Sequence, residues 1–168
     1  MHSNNQSEVK VSEQATEFPA TLDLSSADTR SNLMENGWKE AKVTEVTPIL
    51  TDNPQGRLPI GTPGINVMFR IDGGQYDERP VWNRYWFPPE GYDEEKRAKS
   101  LGMFARFLMA IGYPEDEVKS SGFKIDVADM VGRECRVNTK YNEEYDNNNV
   151  AGVKPRVAVP EGSGSGIL

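Results

Sequence analysis

Ile65, Val67, Phe69 and Ile71 alternate with Asn66, Met68 and Arg70 over seven consecutive residues. A period of two fits an extended strand with one dry face, and a helix cannot produce it. The chain must therefore build a sheet that is wet on one side, with something packed on the other. Four further stretches fit that demand. A first strand is predicted from about Trp38 to Thr47, where Ala41 and Val43 share a face and Val46 falls out of phase. Such a one-residue slip predicts a bulge, which bends a strand. The third strand runs from about Arg79 to Phe87, with Asp72-Gly73-Gly74-Gln75 before it as a tight hairpin signal. In the fourth, Cys135, Val137, Thr139 and Tyr141 alternate with Glu134, Arg136, Asn138 and Lys140. The fifth runs from about Val150 to Val159, and Pro155 places part of it at an edge or bulge.

A single helix lies between the third and fourth strands. Asp93 is placed to cap it, and Glu94 and Glu95 suit its first turn. Ala98, Leu101, Phe104, Ala105, Leu108 and Ile111 recur at spacings of three and four, one apolar stripe, before Gly112 and Pro114 stop it. Gly102 inside it costs up to about 1 kcal/mol unless close packing offsets it. Short helical turns are expected after Pro114 and after Asp126.

One stripe cannot be buried alone, but five short strands curling around it would do so. The expected fold is mainly β: a five-stranded, OB-fold-like barrel with one helix between strands 3 and 4. Its inward set is Val43, Ile65, Val67, Phe69, Ile71, Val81, Tyr85, Phe87, Cys135 and Val137. Met68, Arg70, Trp82, Arg84 and Trp86 then point outward together. The opposite phase would bury Arg70 and Arg84, and a buried unpaired cation costs several kcal/mol. Asn83 turns inward on this phase and needs a partner.

The domain occupies residues 37–159. Residues 1–21 read as a disordered acidic tail, 22–36 as a short extension with a turn at Leu22–Asp28, and 160–168 as a flexible Gly/Ser tail. Ser25, Ser26 or Asp28 would cap a brief helix reaching Met34. No apolar run is long enough for a membrane span, and the N-terminus lacks the apolar core of a secretory signal. Cys135 is the lone cysteine, so no internal disulfide forms, which favours a reducing compartment.

The net charge is −7, which argues against tight binding of duplex DNA through charge alone. Its distribution is uneven. Residues 1–36 hold Lys10 and Arg30 against six acids, whereas residues 37–112 are balanced. A neutral domain binds single strands when its cations gather on one face and aromatic stacking supplies part of the affinity.

The outward face has that composition. Trp82 and Trp86 flank Arg84 on one strand, two ring surfaces for unpaired bases with a cation between them. Met68 and Arg70 share their face, and Lys42, Arg136 and Lys140 join if their strands lie alongside. Arg57 is the one cation in the long Pro48–Gly64 loop, and a loop of that length is often functional. Tyr141 and Tyr145 flank the loop between strands four and five, where OB-folds grip ligand. Each has a plainer reading as well: the tryptophans as core or a protein interface, the arginines as blunting of an exposed sheet, the tyrosines as strand-end residues. Cys135 reads as a small core residue.

Nothing in the sequence suggests catalysis. His2 and Cys135 are the only histidine and cysteine, and no phosphate-binding loop, zinc pattern or nucleophile–histidine pair occurs. Asp93-Glu94-Glu95 is accounted for by a helix start, and Asn142–Asn149 lacks the glycine and closing glutamate of a calcium loop. No catalytic residue, metal or cofactor is expected, and the chain is read as a non-enzyme.

Leu22–Asp28, Gly37-Trp38, Gly61–Val67, Asp72–Tyr76, Phe107–Gly112 and Val131–Val137 resemble segments of a group of bacteriophage proteins. That group comprises single-stranded-DNA-binding or replication and recombination accessory proteins of OB type. The resemblance covers about residues 22–157. It implies sequence-independent binding of single-stranded DNA in phage replication or recombination, within the cytoplasm of the infected bacterial host. Partners implied are single-stranded DNA and phage replication or recombination proteins, with self-association open. The competing reading is a protein-binding or virion-assembly module whose Trp face is a subunit interface.

Overall fold

The computed structural model describes residues 18–27 and 33–156. The chain divides at Arg30/Ser31 into two units. In the first, the described residues form one turn: the Asp23 carboxylate accepts from the Ser25 N–H at 3.0 Å, and the Ala27 N–H donates to the Leu24 carbonyl. The predicted helix to Met34 crosses residues 28–32 and lies outside the described residues, as do the tail positions 1–17 and 157–168.

The described residues of the second unit form five antiparallel strands and three helices. They are β1 (Gly37–Leu50), β2 (Pro63–Ile71), β3 (Pro80–Trp86), α1 (Glu94–Ala110), α2 (Glu115–Val118), α3 (Val127–Met130), β4 (Glu134–Asn142) and β5 (Asn147–Lys154). The sheet order is β3-β2-β1-β4-β5. The expected strands, long helix and two helical turns are all present in the expected order. The sheet is not closed into a barrel. β3 and β5 are its two edges, and no ladder joins them among the described residues; Asn83 and Tyr85 of β3 and Val150–Val153 of β5 line one cleft, with Met103, Arg106 and Phe107 of α1 along its wall.

Alternation places Val43, Ile65, Val67, Phe69, Ile71, Val81, Tyr85, Cys135 and Val137 in the core, with Phe87 packed at its margin. Each such burial stabilises by roughly 1.5–3 kcal/mol. Asn83 finds its partner on its own strand, a side-chain hydrogen bond to Tyr85. Burial raises the Tyr85 phenol well above its usual range despite that bond. Burial likewise pushes the Cys135 thiol up to about 12, so it stays protonated.

The expected bulge lies between Val43 and Glu45 and accounts for Val46 falling out of phase. Several other expectations shift in detail. β1 continues to Leu50 through Pro48, because beyond Lys42 it pairs only with β2 and its other edge needs no ladder donor. The β2–β3 connection is not a tight hairpin. It spans residues 72–79, with the Asp77 carboxylate accepting from the Gly73 N–H and Glu78 at positive φ. The buried face of α1 is Phe104, Phe107, Leu108 and Ala110, followed by Ile111. Ala98 is exposed and Phe107 is central, because the helix packs into an aromatic cluster: Tyr85 stacks on Phe107 at 4.7 Å, and Phe87 meets Phe104 at 4.8 Å. β5 begins at Asn147, earlier than expected, across a short turn in which Asn142 accepts from the Glu144 N–H.

Residues 34–36 strap onto this unit. Met34 is buried in the core, and its N–H and C=O bond the Asn148 side chain at 2.7 and 3.0 Å. The Asn36 side chain accepts from the Tyr141 N–H. At the other end, Arg156 reaches Asp72 at 2.7 Å, Glu40 at 3.0 Å and Glu134 at 3.5 Å, and donates to the Ala41 carbonyl. The bond from Arg156 holds the Asp72 carboxyl below its ordinary value.

Candidate nucleic-acid interface

The outer face of β3 carries Trp82, Arg84 and Trp86, because Val81, Asn83 and Tyr85 take the inner one. Across the β2–β3 ladder Trp82 lies opposite Met68, Arg84 opposite Asn66, and Trp86 opposite Gly64. Trp82 is 50 % exposed and Arg84 is exposed, while Trp86 and Met68 are half-buried. The half-burial of Trp86 has a specific cause. A β-carbon built at Gly64 would stand 2.5 Å from Trp86 Cε3, so the indole lies down across β2 where no side chain stands.

Two hollows meet on this face. The first, of about 510 Å³, lies between the residue 51–58 loop and the start of α1, with Trp86 and Arg84 along it. Arg57 and Lys96 line it from opposite sides, with Tyr92 and Asp52. Its walls are tied together: Tyr92 donates to the Arg57 carbonyl at 3.4 Å, Ser100 to the Trp86 carbonyl at 2.8 Å, and Arg97 to the Pro88 carbonyl at 2.9 Å. The second hollow, of about 560 Å³, is lined by Asn66, Trp82, Asn83, Arg84 and Asn147–Asn149. Arg84 borders both, which makes one path along β3 from the start of β5 to the helix start. Among the described residues, Arg57, Arg84 and Lys96 enter no ion pair.

Of the residues singled out in the sequence, Trp82, Arg84, Trp86, Met68 and Arg57 thus come together. Lys42, Arg70 and Arg136 lie further along the outer face, where Lys42 and Arg136 have carboxylate neighbours. Lys42 stands opposite Arg70 on one side and Glu134 on the other. Arg70 donates to the Glu78 carbonyl at 2.8 Å. Arg136 sits 3.4 Å from Glu40 and over the Trp38 ring. Lys140 is exposed opposite Asn149. Tyr141 donates its hydroxyl to Asp146 at 2.9 Å, a bond that raises the phenol's pKa.

Lys96, Tyr92, Asn66 and Asn147–Asn149 were not anticipated as lining residues. Lys96 did leave a signal: a cation in the first turn of a helix opposes the macrodipole, so its place asks for another reason. Asn147–Asn149 fall in the segment between strands four and five already expected near ligand, but their residue types singled out none of them.

Among the described residues no group of three or more His, Cys, Asp or Glu is placed to hold a metal, and no helix is long and apolar enough to cross a membrane. No protein-family model matches the chain, and no curated protein matches it.

Proposed function

We propose that this chain binds single-stranded DNA without sequence preference, through the outer face of β2 and β3. The observation that carries the reading is the path along β3, where Trp82 and Trp86 flank Arg84 and three unpaired cations gather. Unpaired bases stack on the indoles, and Arg84, Arg57 and Lys96 neutralise phosphates. The strand order and the helix between β3 and β4 support an OB-like architecture that stops short of hydrogen-bonded closure, with the ligand on the face where such folds take oligonucleotides. The phage resemblance would place this activity in DNA replication or recombination in the cytoplasm of an infected bacterium.

Exposed Leu50, Ile60 and Trp82 favour one rival, a subunit or assembly interface. A single titration separates the two. Fluorescently labelled oligo-dT is added at low salt and followed by anisotropy and tryptophan emission. Binding with quenching is expected, weakening as salt rises. Trp82→Ala should cost about 1–3 kcal/mol, roughly five- to 150-fold in Kd. No binding together with a large, stable oligomer would establish the interface instead.

A further inference from the structure

The hollow over Trp86 differs from the open face around Trp82. Resting on the single-strand reading, we propose that it is a subsite for one unstacked nucleotide, whose base lies on the Trp86 indole and whose phosphates meet Arg57, Arg84 and Lys96.

Four observations support it. The indole is a backed platform: with Gly64 behind it, the ring rests on β2 and its tilt is set by backbone. The hollow, about 510 Å³, is of the size that encloses small ligands, about 300–1,000 Å³. Three cations converge on it from three separate elements, a loop, a strand and a helix, against one carboxylate, Asp52. Of the carboxylates beside Lys96 in the first turn of α1, Asp93 is committed to the helix cap and Glu94 lines a different hollow beside Arg97, so neither lines this one.

Trp38 provides the contrast. Its ring also lies against a glycine, 3.4 Å from a β-carbon built at Gly152. There Lys154 Nζ sits 4.1 Å over the ring and Arg136 flanks it, so its stacking surface is taken by the protein's own cations. No cation lies over Trp86 among the described residues.

The chain has three tryptophans, so a Trp38→Phe/Trp82→Phe variant leaves Trp86 as sole reporter and keeps rings for stacking. Labelled oligo-dT should quench this emission as it binds. Lys96→Ala in the full chain should lower the slope of log K against log salt by about 1, as one lost phosphate contact does. Lys99→Ala, an exposed lysine paired with Glu95 outside the hollow, should leave it unchanged. If oligo-dT binds by anisotropy while Trp86 emission stays constant and Lys96→Ala behaves like Lys99→Ala, the subsite is wrong and the single-strand reading stands. If oligo-dT does not bind at low salt, both fall.

Discussion

An alanine at position 64 would bring its methyl 2.5 Å from both Trp86 Cε3 and the Tyr85 carbonyl oxygen. The ring can swing away, but the carbonyl belongs to the β3 ladder and cannot move without straining it. Gly64→Ala is therefore expected to destabilise by about 1–3 kcal/mol, as overpacking does, and to alter the near-ultraviolet circular dichroism of the indole. A wild-type spectrum and thermal midpoint would show that Trp86 does not lie where described. The outward direction of Trp82, Arg84 and Trp86 was legible in the alternation of 81–87, because the other phase buries arginines. The lying-down of Trp86 was not, since it depends on which residue of β2 stands opposite, and register is a property of two strands.

Among the elements, α1 shows most clearly what periodicity can and cannot reveal. Its N-cap was readable: Asp93 accepts from the backbone N–H of Glu95 and Lys96. Its buried face was read partly rotated, because spacing alone weighs Ala98 like Phe107, while the core selects the side chains that reach the Tyr85 cluster. Close packing that would offset the cost of Gly102 is absent: a β-carbon there meets only Arg106 Nη1, at 3.7 Å, an ordinary contact. Nothing offsets the glycine's conformational cost, so Gly102→Ala should stabilise by up to about 1 kcal/mol. Chemical denaturation with an unchanged slope and a raised midpoint would verify it, and a lowered midpoint would mean that the helix uses the glycine's space. The two sheet edges are likewise a fact of distance between strands, which neither strand's own pattern contains.

For the whole molecule, the charge arrangement matters more than the net charge. Strand pattern made the five-stranded sheet legible, but the grouping of Glu40, Asp72 and Glu134 around Arg156 was hidden, because those residues lie on β1, in the β2–β3 connection and on β4. The bond to Arg156 lowers the Asp72 pKa relative to the unfolded chain. A depressed acid contributes stability that is whole above its unfolded pKa, about 3.9, and is lost as pH falls through the folded value. Wild type should therefore lose thermal stability below about pH 4 more steeply than Arg156→Met, for which Asp72 has no such partner. Parallel curves over that range would remove Asp72 from the account. Arg156 also governs where the chain can be cut. A fragment ending at Lys154 keeps every described strand yet strips Asp72 and Glu134 of the guanidinium they share and leaves Glu40 with Arg136 alone, so a minimal domain chosen by its last strand would discard its own keystone.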